Sequence, residues 1–107
     1  MDNNTLHHFS EGLYAKEMHL PKGSMACQHK HTYDHLSILA QGKVKVLFDD
    51  DLVKEYTAPA CINITKNINH VIVALEDSVW FCIHQTEETD VNKVDQVLIK
   101  QDKKVEA

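Results

Sequence analysis

At 107 residues the chain is long enough for one small domain with a single modest core. Its hydrophobic share of 43% and charged share of 25% are those of a folded globular protein, and a net charge of −5 speaks against a nucleic-acid partner. No apolar stretch approaches the roughly 20 residues that cross a bilayer, so no membrane partner is expected.

Residues 1–12 are polar and read as a flexible, irregular N-terminal segment. Met1-Asp2-Asn3-Asn4-Thr5 carries neither the basic nor the apolar region of a secretory leader, and a cytoplasmic location is expected. Leu13 to Leu20 alternates as a strand, with Tyr14, Lys16, Met18 and Leu20 on one face. Pro21-Lys22-Gly23 is a turn, and Met25 to His31 is a second strand. From His35 to Gln41 the alternation puts His35, Ser37, Leu39 and Gln41 together. Gly42 turns the chain into Lys43–Phe48, which alternates polar and apolar as a half-buried strand does.

Asp49-Asp50-Asp51 lacks the ligand spacing of a calcium loop and reads as a solvated hairpin tip, with Leu52 to Thr57 returning. Pro59 separates off Cys61–Thr65 as a short strand or edge. Lys66-Asn67-Ile68-Asn69 is a turn in which Asn tolerates the left-handed conformation. His70–Leu75 and Val79–His84 are the last strands, separated by Glu76-Asp77-Ser78. Thr89-Asp90 could cap a short helix bearing Val91, Val94, Val97 and Leu98 on one face, and the tail from Gln101 is charged. Many short strands with almost no helix predict an all-β sandwich or barrel. The domain is expected over 13–88, followed by a C-terminal helix and tail over 89–107.

Histidine is the residue with the most to say. Three stand in His29-Lys30-His31-Thr32-Tyr33-Asp34-His35, and His70 lies downstream. Imidazole is the commonest side-chain ligand for divalent transition metals. Strand alternation points His29 and His31 the same way, and His35 shares their parity if the kink at Tyr33-Asp34 preserves it. Cys27 has that parity too, and reads as a buried apolar thiol or as a pocket residue. Tyr33 and Gln41 are the other candidate pocket residues. Trp80 reads as core, and His84 as a packed or edge residue on the face of Trp80 and Cys82. His7, His8 and His19 show no partner pattern and read as solvent-side. Cys27, Cys61 and Cys82, an odd number with no paired spacing, read as reduced thiols.

The spacing Gly23, His29-x-His31, His35, Gly42 resembles the first motif of the cupin superfamily, with His35 where that family usually has Glu. A second motif is weaker. Pro59, Thr65, Asn67, His70 and Ala74 occupy its positions, and His70 alone matches. The resemblance covers roughly residues 13–84. It implies a small jelly-roll β-barrel, a homodimer, and a metal held inside by His29, His31, His35 and His70. An all-nitrogen set leaves the ion its full +2 charge and suits Fe(II), favoured here, or Zn, Ni or Co. Two functions follow as expectations. The first is a metal centre that binds or transforms a small molecule, with an iron-dependent dioxygenase or a lyase or isomerase as the enzymatic forms. The second is a non-catalytic module that senses a ligand or metal, or holds a structural ion.

Overall fold

The computed structural model describes residues 5–28, 33–49, 51–90 and 92–94. Among these residues nine strands run in chain order: β1 (Thr5–Ser10), β2 (Leu13–Leu20), β3 (Met25–Gln28), β4 (His35–Gln41), β5 (Lys43–Phe48), β6 (Val53–Thr57), β7 (Ala60–Ile64), β8 (His70–Ala74) and β9 (Ser78–Gln85). They form a five-stranded sheet ordered β1-β2-β9-β4-β7 and a four-stranded sheet ordered β3-β8-β5-β6. All strand pairs are antiparallel. The chain passes repeatedly from one sheet to the other, which gives the jelly roll that the sequence predicts.

Period-two alternation builds the core. Met18, Leu20, Leu39, Val44, Val46, Ile62, Ile64, Ile72, Ala74, Trp80 and Cys82 are buried together between the sheets. Trp80 and Leu39 are fully buried and lie opposite each other in the β4–β9 register. The interior is therefore a stack of cross-strand rows. Met18, Trp80, Leu39 and Ala60 make one row of the larger sheet, and Cys82 and Ser37 belong to the next.

Tight contacts close the crossings. Gly42, at φ +92°, takes the chain from β4 into β5. Beside it the Ser78 hydroxyl accepts from the Lys43 amide at 3.2 Å and lies 2.8 Å from the Glu76 carbonyl. Asn67 has φ +65°, the left-handed conformation expected of that turn. The peptide bond before Pro59 is cis.

Two expectations are corrected here. The N-terminal stretch is not irregular throughout, since residues 5–10 form edge strand β1 on β2. Thr5, His7 and Phe9 take its half-buried positions, so a polar sequence still supplies an inner face. Asp49 and Asp51 are exposed at the hairpin tip, as expected. Asp49 Oδ2 accepts from the Asn69 amide at 3.1 Å and its side-chain nitrogen at 3.0 Å, tying the hairpin to the turn before β8. His7, His8 and His19 each have a partner. His7 Nδ1 lies 2.7 Å from the Tyr14 hydroxyl. His8 Nε2 lies 2.8 Å from Glu17, which His19 also meets. Those two hydrogen bonds, His19's the stronger influence, hold the Glu17 carboxyl below its usual range.

Of the expected C-terminal helix, the described part is one turn. The Lys93 and Val94 amides donate to the Asp90 carbonyl, and Asp90 Oδ1 caps the Asn92 amide. Val94 is buried against Tyr14. Val91, Val97 and Leu98 lie outside the described residues.

Candidate functional site

The register gathers rings at one end of the barrel. On the larger sheet Phe9 pairs with Tyr14, and Tyr14 with His84. Leu36 pairs with Ile83, and continuing that register places His35 across from His84. On the facing sheet, Gln28 pairs with His70 and His70 with Phe48. Two rows therefore oppose each other, Phe9, Tyr14, His84 and His35 against Gln28, His70 and Phe48.

The ring geometry follows from these rows. The His35 and His84 rings are stacked with centres 4.7 Å apart, and His84 stacks on Tyr14 at 6.2 Å. Across the gap His70 lies 6.5 Å from His35 and 6.0 Å from Phe48. All three histidines are buried, at 7%, 2% and 6% exposure for His35, His70 and His84. Tyr33 meets His84 edge-on, with its hydroxyl 3.4 Å from Nδ1.

Two carboxylates anchor the backbone around this cluster. Asp34, just before His35, accepts from the Lys66 amide at 2.8 Å. Asp49 holds Asn69, the residue just before His70. The alignment of His35 with His70 is thus fixed by short local bonds as well as by the sheets.

Beneath the rings lies a row of soft groups. Ser37 Oγ donates to Cys82 Sγ at 3.9 Å, and Cys82 Sγ donates to Gln28 Oε1 at 3.5 Å. Gln28 Nε2 in turn donates to Met18 Sδ at 3.7 Å. Burial pushes the Cys82 thiol up from its ordinary value, so it persists as the neutral thiol.

The predicted site residues divide into three groups. His35 and His70 come together inside the barrel, with Tyr33 half-buried at the cluster's edge. His29 and His31 lie outside the described residues. Among the described residues no three His, Cys, Asp or Glu side chains form a ligand set. Cys27 is corrected. It is exposed on β3 while Ala26 and Gln28 take the inner positions, so its thiol lies outside the barrel. Gln41 is also corrected. It is exposed at the far end of β4, past a register irregularity between Leu39 and Gln41, six residues or roughly 20 Å from His35. There it lines a separate cleft of about 280 Å³ with His19, Leu20, Pro21, Asp77, Ser78 and Val79.

His84 reads in the sequence as a packed or edge residue, and the structure packs it inside the barrel. Its parity with Trp80 and Cys82 already pointed inward. What was missing was strand order, because β9 lies between β2 and β4 and so sets His84 against His35. The cysteines are all free, as expected.

Comparison with solved structures agrees with the topology. No family model matches the chain, and no curated protein matches it in sequence. A cupin superfamily protein from Desulfitobacterium hafniense DCB-2 superposes with TM-score 0.65 at 16% identity, covering 79% of this chain and 80% of that one. An RmlC-like cupin family protein with a double-stranded beta-helix fold, from Methanocaldococcus jannaschii, gives 0.64 at 13% identity over 80% and 84%. KdgF from Halomonas sp. gives 0.65 at 19% identity over 80% and 79%. The chain therefore has the cupin fold, a double-stranded β-helix. At these identities the likeness is one of architecture, and the chemistry has to be argued from the chain's own residues.

Proposed function

We propose that this protein is a metal-binding cupin whose centre, held by His29, His31, His35 and His70, binds or transforms a small molecule. The observation that carries the reading is the pairing of buried His35 and His70 on facing sheets. This lies at the end of the barrel where β3 stops at Gln28 and β4 begins at His35.

The donor chemistry fits such an ion. Imidazole nitrogens suit Fe, Zn, Ni or Co, and a site without carboxylate ligands argues against Mg or Ca. When bound, an iron ion would supply O₂ activation, whereas a redox-silent ion would supply Lewis acidity toward a carbonyl. The chain's own residues supply the rest. Trp80 and Leu39 seal the barrel below the site and exclude water. The Ser37, Cys82 and Gln28 row forms a floor of weakly polar groups. Tyr33, half-buried beside His84, would donate a hydrogen bond to a bound small molecule. Among the described residues no general base beyond Tyr33 and the histidines themselves stands in the ring cluster, which favours metal-centred chemistry over acid–base work.

A cytoplasmic homodimer remains part of this proposal. The outer face of the larger sheet carries Leu36, which is 50% exposed, with Ile38, Phe81 and Ile83 beside it in register. Pairing that face with a second copy would cover them.

Anaerobic titration with ferrous iron, followed by desalting and exposure to O₂, tests the reading. One retained equivalent per chain that then consumes O₂ supports the dioxygenase form. Tight uptake of Zn with no reactivity toward O₂ moves the site to a lyase, isomerase or non-catalytic module. Failure to retain any transition metal overturns the proposal.

A further inference from the structure

We infer that His84 is a positioning residue for His35, fixing the plane of its imidazole through a ring stack anchored on Tyr14. The consequence for metal affinity rests on the four-imidazole reading above, whereas the stack itself does not.

An imidazole needs such help. The torsion that turns the ring about its bond to Cβ is broad, so the side chain's own preferences do not set the ring plane. Neighbouring atoms must do it. For His35 the stacked neighbour among the described residues is His84, parallel within 28° at 4.7 Å. Tyr14 lies along the other side of His84, parallel within 19° at 6.2 Å. The three rings occupy adjacent positions on β4, β9 and β2, so the sheet itself spaces them.

The stack has a fixed end. Tyr14 is 1% exposed and is held on several sides. Phe9 stacks on it at 5.1 Å, Val94 packs against it, and His7 Nδ1 lies 2.7 Å from its hydroxyl. Cys82, two residues before His84 on the same inner face, fills the space below. Tyr33 closes a further side edge-on. His84 is therefore confined on several sides, and it passes that confinement to His35.

The experiment compares wild type, His84→Ala and His84→Phe, with far-UV circular dichroism and Trp80 emission to establish that each is folded. The phenyl ring keeps the stack and removes the nitrogens. In metal-free protein, imidazole 1H–13C spectra report His35, assigned by its loss in His35→Ala. The His35 signals should carry a ring-current shift in wild type, lose it in His84→Ala and keep it in His84→Phe. Titration with Co²⁺ should then show affinity falling about 10–100-fold in His84→Ala, the range for groups that orient a ligand, and staying near wild type in His84→Phe. Unchanged His35 signals in His84→Ala overturn the inference. Equal loss of Co²⁺ affinity in both variants also overturns it and makes His84 a ligand itself. A wild-type protein that takes up no Co²⁺ sinks the metal reading, and the metal-free spectra still decide the stack.

Discussion

Replacing Gly42 with alanine should damage this fold far more than the same change at Gly23. Both glycines have left-handed backbones, at φ +92° and +87°. Each substitution therefore incurs the conformational cost of an L-residue there, about 1–2 kcal/mol. Their surroundings differ. A Cβ on Gly23 would meet no atom within 4 Å, whereas one on Gly42 would fall 2.3 Å from Ser78 Oγ, 2.4 Å from the Asp77 carbonyl and 2.8 Å from Ser78 Cα. The last two are backbone atoms of the β8–β9 crossing and cannot swing aside. Overpacking of this kind adds about 1–3 kcal/mol, so Gly42→Ala should cost about 2–5 kcal/mol in all. In a domain of this size each kcal/mol lowers Tm by roughly 4–8 °C. Urea and thermal unfolding followed by fluorescence of the single tryptophan, fully buried Trp80, give both numbers. Equal losses for the two variants would refute the reasoning, since they would mean that the Ser78 contact carries no weight.

Three further outcomes follow from the packing and the charges. Leu39→Ala removes a fully buried side chain between the sheets and should cost about 2–5 kcal/mol in urea unfolding; a loss below 1 kcal/mol would place Leu39 outside the core. A thiol reagent added to the native protein should label Cys27 and Cys61, which are exposed, and spare buried Cys82 until the chain unfolds; prompt labelling of all three would contradict the Cys82 environment. In the fold Glu17 titrates below its ordinary value of 4.5, so its contribution is present above that pH and drains away as pH falls through the lowered value. Wild type should therefore gain stability over Glu17→Gln as pH rises from about 3 to 6, and parallel pH profiles would count against the pairing with His8 and His19.

Much of the fold is legible in the residues because half-buried strands write their faces as alternation. Tyr14, Met18 and Leu20, or His35, Ser37 and Leu39, declare their common face without reference to any partner. Features that depend on what lies across the sheet are less visible. β1 looks polar because two of its three inner positions are Thr5 and His7, and its role appears only once Tyr14 is seen to need a neighbour. Glu17 bridges two histidines that are unrelated by any motif spacing. Cys27 shows the limit of parity. Counting in twos from His29 and His31 sends it inward, but β3 turns Ala26 and Gln28 to the interior instead. His35 and His70 could be paired from motif spacing alone, whereas the place of His84 beside them required knowing that β9 is a central strand.

Metal analysis of the protein as purified under anaerobic conditions, beside His35→Ala and His70→Ala, tests the central claim most directly. About one equivalent of a transition metal per chain in wild type, lost from both folded variants, is the outcome the four-imidazole proposal predicts. A metal-free wild type, or an ion retained undiminished when either imidazole is removed, would contradict it.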